Sequence, residues 1–270
     1  MKNYLKELNR LHQIMIQLRN PKTGCPWDIA QNFASIAPYT IEEAYEVADA
    51  IQLGDRTEIC KELGDLLLQV MFHSRIAEEE GSFTLEDVAK SISDKMIARH
   101  PHVFGSEDRP TITAQSGLWE DIKAQERAKK GEKRTFDGLA RGLPPMLRAL
   151  KLQKRAARIG FDWPDISQIL DKLQEEANEL VAELEKTSRN QDLIKDEVGD
   201  LLFVAINLAR KAGVDPETAL QNCNIKFERR FNYIEEAIDL NGKKLEESSL
   251  REMESYWQDA KAFDPKPVFD

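Results

Sequence analysis

Glu175-Glu176-Ala177-Asn178-Glu179, followed by Glu197-Val198-Gly199-Asp200 and then Leu201-Leu202-Phe203-Val204-Ala205-Ile206, is the stretch that decides the fold. Its pattern occurs twice. Glu42-Glu43-x-x-Glu46 precedes Glu62-x-Gly64-Asp65, and there too the Asp opens an almost wholly apolar run, Leu66 to Phe72. Acids three or four apart share one face of a helix. Glu43 with Glu46, and Glu176 with Glu179, therefore point the same way from one helix. Glu62 with Asp65, and Glu197 with Asp200, do so from the next. An Asp entering so apolar a helix is costly to desolvate unless its charge is compensated. A bound cation is the simplest compensation.

The repetition extends past the acids. Gly24 and Trp27 are echoed by Gly160 and Trp163, and Arg75 follows Asp65 at the distance at which Arg210 follows Asp200. Lys95-x-x-x-Arg99 is matched by Lys226-x-x-x-Arg230, and Trp119-x-x-x-Lys123 by Trp257-x-x-x-Lys261. The order is the same in both halves, which indicates one unit duplicated and diverged.

Nearly everything between the loops has helical periodicity. Leu5, Leu8, Leu11, Met15 and Leu18 make one apolar stripe. Thr40 with Glu43 forms a capping-box pattern that predicts a helix from there to about Gly54. Further helices are expected from Thr57 to Glu80, from Thr84 to His100, before Gly160, from Ile166 to Lys186 and from Gln191 to Ala212. Asp215-Pro216 has the form of an N-cap with a first-turn proline. The expectation is an all-α protein of two tandem, related, four-helix-bundle-like units. Their expected extents are 1–130 and 146–270, with a linker over 131–145.

Composition bounds the function. The 270 residues carry a net charge of −10, so the molecule as a whole repels nucleic-acid polymers. No stretch is apolar enough to span a bilayer, and the N-terminus lacks a signal-peptide core. Cys25, Cys60 and Cys223 are odd in number and far apart, which supports neither a disulfide framework nor a zinc motif and suits a cytoplasmic chain. Histidine pairing of the di-iron type and a P-loop are both lacking.

If the acid-bearing helices pack antiparallel, four carboxylates meet in one cleft, and hard oxygen ligands suit Mg²⁺ or Mn²⁺. Such ions could bridge phosphate oxygens and activate a water. Lys95/Arg99 and Lys226/Arg229/Arg230 could clamp phosphate, and Trp119 or Trp257 could stack a base. Each of these features alone also fits a solvated helix face or core packing. A prenyl-diphosphate synthase would need an Asp-Asp-x-x-Asp pair, and a helical scaffold would need no metal.

Glu-Glu-x-x-Glu, a spacer and Glu-x-x-Asp together resemble the all-α nucleoside triphosphate pyrophosphohydrolases, and the chain looks like the two-domain MazG type. Gly24-Cys25-Pro26-Trp27-Asp28, Arg99-His100-Pro101-His102-Val103-Phe104, Gly160-Phe161-Asp162-Trp163 and Lys226-Phe227-Glu228-Arg229-Arg230-Phe231 carry the likeness over residues 3 to 262. The resemblance implies Mg²⁺-dependent hydrolysis of a nucleoside triphosphate to monophosphate and diphosphate, broad base tolerance and a homodimer. It implies metal ligands at Glu176, Glu179, Glu197 and Asp200, with Glu43, Glu46, Glu62 and Asp65 as their first-half counterparts. Glu175 or Glu176 would orient the attacking water. Nucleotide contacts would fall on Lys172, Leu173, Gln174, Glu175 and Glu176. Others would fall on Leu193, Ile194, Lys195, Asp196 and Asp200, and on Lys226, Phe227, Glu228, Arg229, Arg230 and Trp257. Tyr39 stands where the second half has Lys172, which favours the second half as the catalytic one.

Overall fold

A computed structural model describes residues 4–105, 111, 122, 124, 126, 131 and 133–264. Trp119, Lys123 and Glu132 lie outside them. Among the described residues the regular structure is helical throughout. The chain divides into two compact units, Met1–Ala124 and Gln125–Asp270.

In the first unit the helices are α1 (Tyr4–Leu18), α2 (Pro26–Ala30), α3 (Phe33–Leu53), α4 (Arg56–Glu80), α5 (Leu85–Arg99) and α6 (Pro101–Phe104). The α3/α4 pair makes the most extensive contact, and α1 and α5 lean on α4. The core is Met15, Ile36, Phe72 and Ile76, with Phe33 and Leu68 packed against it. Gly54 and Gly81 close α3 and α4 at φ of 76° and 70°, the left-handed region that disfavours any side chain.

One helix start differs from the sequence expectation. α3 begins at Phe33, under a capping box made by Asn32 and Ser35, and carries Pro38 inside it. Thr40 caps nothing. Its hydroxyl lies 3.4 Å from the Ile36 carbonyl one turn back and 3.0 Å from His73 Nε2. A Thr-x-x-Glu pattern looks the same at a helix start and in mid-helix, where back-bonding satisfies the hydroxyl. The helix expected from Thr84 starts there, with Thr84 as its cap and Asp87 completing a box, and Asp215 caps the helix that Pro216 opens.

In the second unit the helices are α7 (Pro145–Arg158), α8 (Ile166–Glu185), α9 (Gln191–Lys211), α10 (Pro216–Leu240) and α11 (Leu250–Ala262), with a 3₁₀ turn at Leu245–Glu247 before the last. α8 pairs with α9 as α3 pairs with α4, α7 packs on α9, and α11 packs on α10. Ala149, Leu150 and Ile206 form the buried cluster, with Met146 against it. Turns over 133–143 hang on α7, where Arg155 donates to the carbonyls of Thr135 and Asp137.

The matched arginines are structural in both halves. Arg210 pairs with Asp162, and Lys211 reaches Asp162 at 3.2 Å and the Trp163 carbonyl at 2.6 Å, which pins the Gly160–Trp163 turn to the end of α9. Arg75 pairs with Glu79 at 2.9 Å. The buried Arg19 also holds Glu79, at 2.7 Å, and donates to the carbonyls of Asp28 and Gln31, which fixes the first tryptophan-bearing turn.

Candidate metal and phosphate site

In each unit a pair of neighbouring helices brings acids together. Ligand oxygens of Glu43, Glu62 and Asp65 lie within 4.8 Å of one another, and so do those of Glu176, Glu179 and Glu197. An octahedral ion with bonds of about 2.1 Å spaces its ligand oxygens roughly 3 to 4.2 Å apart. Small side-chain adjustments would therefore let either set hold one Mg²⁺ or Mn²⁺, and all-oxygen donors suit such hard ions.

Burial falls elsewhere than the apolar runs suggest. Asp65 and Asp200 are exposed, so neither bears a large desolvation cost. The acid removed from water is Glu176, 5% exposed. Its present compensation is a side chain: Lys172 Nζ lies 2.8 Å from Glu176 and 3.0 Å from Glu175. Those hydrogen bonds hold the lysine's own proton well above its ordinary affinity. Glu175 is otherwise solvated, as an acid that meets a mobile water can be.

Three of these carboxylates are held above their ordinary proton affinity, by desolvation and by their neighbours' charge. Glu197 is pushed up by desolvation and then by the charges of Glu179, Glu176, Asp200 and Asp196. In the first unit Glu43 is pushed up by desolvation and then by Asp65, and Glu62 by desolvation and then by Glu46 and Asp65. Glu46 and Asp200 thus act on the sets electrostatically while lying outside the close triads. Like charges gathered in this way favour a divalent cation between them.

The other expected nucleotide contacts are spread over three elements. Leu173 is half-buried on α8, while Gln174 is exposed and bonds Asn178 at 3.0 Å. Leu193, Lys195 and Asp196 are exposed in the first turns of α9 and Ile194 is half-buried. On α10, Lys226, Phe227, Glu228 and Arg229 are exposed and Arg230 is half-buried. Phe227 meets Trp257 of α11 at 5.4 Å between ring centres, and the Arg230 guanidinium lies over the same indole at 5.1 Å. A cleft of about 480 Å³, lined by Arg229, Arg230, Tyr233 and Phe263 among others, opens beside them and is within the size range of small-molecule sites. Among the described residues no hydrogen bond, ion pair or ring contact joins this basic and aromatic group to the carboxylates of α8 and α9.

Two side chains went unnoticed in the sequence. Asp264 is bonded by both Arg229 and Arg230, whose hydrogen bonds draw its carboxyl down to about 2. One acid among 48 gives no signal of that role. Gln69, buried at 7% exposure, donates from Nε2 to Glu43 at 3.2 Å. It is the one polar residue in the run Leu66 to Phe72, and that was a usable signal.

Two helix pairs, each bearing a triad of acids close enough to hold a divalent cation, with arginines grouped round a tryptophan in the second unit, define a duplicated all-α protein whose side chains suit the handling of phosphate. The sequence matches the MazG nucleotide pyrophosphohydrolase domain over residues 31–104 and again over 165–235. It is 44% identical over 257 residues to a nucleoside triphosphate pyrophosphohydrolase of Escherichia coli K12, covering 95% of this chain and 98% of that one. It is 42% identical over 254 residues to the nucleoside triphosphate pyrophosphohydrolase/pyrophosphatase MazG of Thermotoga maritima, covering 94% and 95%. A Bacillus subtilis protein, YabN, is 43% identical over 258 residues but nearly twice as long, so only 52% of it is covered. The chain belongs to the MazG nucleotide pyrophosphohydrolase family.

Proposed function

We propose that the protein hydrolyses nucleoside triphosphates to the monophosphate and diphosphate, with Mg²⁺ (or Mn²⁺) held by Glu176, Glu179 and Glu197 and with Asp200 beside them. The observation that carries this reading is the convergence of the Glu176, Glu179 and Glu197 oxygens, with Glu176 buried and paired to Lys172. A bound ion there would neutralise the triphosphate and make a water more acidic.

The chain's own groups supply the rest. Lys172 is able to leave Glu176 for a phosphate oxygen, because its stem is flexible and its partners among the described residues are Glu175 and Glu176. Glu175, freed in the same exchange, accepts a proton from the attacking water or orients it. The water oxygen bonds to phosphorus, the anhydride between the α and β phosphates breaks, and diphosphate departs with the electron pair. Arg229 and Arg230 stabilise the leaving charge once Asp264 yields them. Stacking on Trp257 and Phe227 recognises a base by its π face, which any nucleobase offers, and this supports broad base tolerance.

A homodimer is supported by the apolar side chains that α8 and α9 leave in solvent: Val181 and Leu184 on one, Val198, Leu202 and Phe203 on the other. No helix is long and apolar enough to cross a membrane among the described residues. That and the unpaired cysteines support a cytoplasmic setting. Product analysis tests the reading: incubation with a nucleoside triphosphate and Mg²⁺ should yield nucleoside monophosphate and diphosphate. Release of orthophosphate with nucleoside diphosphate would reject it.

A further inference from the structure

The two carboxylate sets are duplicates in their acids and differ in what holds those acids. Four residues before Glu176 stands Lys172; four before Glu43 stands Tyr39. Four residues after Asp200 stands Val204; four after Asp65 stands Gln69. The glutamate that Lys172 pins in the second unit, at 2.8 Å along the same helix, is therefore pinned in the first by a neutral amide from the opposite helix, at 3.2 Å. Among the described residues no lysine or arginine pairs with Glu43, Glu46, Glu62 or Asp65.

The substitution continues inward as a polar column between α3 and α4. Thr40 meets His73 at 3.0 Å, where the second unit has Leu173 and Leu208. Gln69 Oε1 and His73 Nδ1 are both buried without a partner. An unsatisfied buried amide oxygen costs stability that a valine at the same place would not. Gln69 is thus an expensive way to fill a core position, and among the described residues its one compensating hydrogen bond is with Glu43.

We infer that Gln69 is a positioning residue, which orients Glu43 so that the first-unit set binds a bare divalent cation more tightly than the second-unit set does. The physical reason is charge. In the second unit a cation must displace the tethered ammonium of Lys172 from Glu176. In the first unit the amide fixes one carboxylate oxygen in place and adds no positive charge, and Lys61 acts on Glu62 only from its place on Glu58, so a cation meets an oriented ligand set with no bonded ammonium to displace. The same difference costs the first unit its phosphate-binding lysine, so metal without nucleotide is the ligand its residues select. The inference rests on the reading above that both sets hold divalent cations.

Mn²⁺ titration of the full chain without nucleotide, followed by calorimetry and by the electron spin resonance of free Mn²⁺, tests it. Two classes of site are expected, the tighter removed by Glu43→Gln and the weaker by Glu176→Gln. Gln69→Val should weaken the tighter class about tenfold, as loss of a ligand-orienting partner does, and should leave the thermal midpoint equal or higher. Tyr39→Lys, at an exposed position, should weaken the same class by supplying the missing ammonium. A Gln69→Val protein with unchanged Mn²⁺ affinity, or a tighter class that vanishes with Glu176→Gln, overturns the inference and leaves the hydrolytic reading intact. Absence of Mn²⁺ binding by the unaltered protein overturns both.

Discussion

Glu176→Gln should separate chemistry from folding. The glutamine keeps the volume of the buried side chain, and its Oε1 can still accept from Lys172 Nζ, which lies 2.8 Å from the present carboxylate. Lys172 also keeps Glu175 at 3.0 Å, so no buried charge is orphaned. What folding loses is one partly solvated ion pair, worth up to about 1 kcal/mol. In a protein of this size that is about 2–4 °C in the thermal midpoint. Catalysis loses one charged ligand of a three-acid set, which should lower kcat/KM for a nucleoside triphosphate by at least about 100-fold, near 2.7 kcal/mol of transition-state stabilisation. The assay is diphosphate release at saturating Mg²⁺, beside a melting curve of the same preparation. Turnover within a few-fold of the unaltered protein would refute the placement and move the chemistry to the Glu43 set. A midpoint lowered by 10 °C or more, on the order of three times that allowance, would show that Glu176 serves the core instead.

Three other outcomes are expected. Asp264→Asn should free Arg229 and Arg230 and tighten diphosphate binding several-fold by calorimetry, whereas unchanged affinity would mean the arginines do not meet phosphate. The Asp264 carboxyl is held at about 2, below its ordinary 3.8, so this ion pair contributes fully above the ordinary value and is lost as pH falls through about 2; the effect of Asp264→Asn should accordingly be flat from about pH 5 to 9. Arg19→Met should destabilise the first unit by about 3 kcal/mol in guanidinium titration, the low end for breaking a buried pair, because Glu79 keeps Arg75 at 2.9 Å; a change under about 1 kcal/mol would show that the two carbonyls it caps find water instead. Leu202→Glu, at a side chain 58% exposed in this single chain, should halve the sedimenting mass if α8 and α9 build the homodimer, and an unchanged mass would put the interface elsewhere.

The helices were legible because their signals are local. Asp215-Pro216, Thr84 with Asp87, and the glycines at 54 and 81 act within a turn of themselves, and each ends or starts a helix where its chemistry requires. Thr40 misled for the same reason, since its surroundings out to Glu43 fit a helix start and only the packing of Phe33 and Ile36 into the core shows the helix already running. The acids of the two triads were legible from helical spacing plus repetition. Which acid would be buried was not, because burial depends on what the neighbouring helix places opposite. Of the apolar residues after Asp65 and Asp200, Met71, Phe72, Val204 and Ile206 are buried while Val70, Leu202 and Phe203 stay in solvent, and the aspartates themselves are on exposed helix faces. The pairing of Asp264 with Arg229 and Arg230 spans about three dozen residues and two helices, and no periodicity reports on it.

The duplication explains why the acids kept their spacing while the positions around them drifted. A carboxylate triad works only if its three members keep their places on two packed helices, so Glu-x-x-Glu and Glu-x-x-Asp admit no shift of register. The residue that compensates a triad is less constrained, because a cation from the same helix or an amide from the opposite one can both reach the same glutamate, as Lys172 and Gln69 do. The two solutions are not equivalent for a phosphate ligand. An ammonium can exchange a carboxylate for a phosphate oxygen and a buried amide cannot, since Gln69 is 7% exposed and fixed in the helix interface. Divergence at that one level is enough to give the two acid sets different partners, and the measurable consequence of the inference above is that exchanging Tyr39 and Lys172 between the copies should exchange the order of their bare-metal affinities.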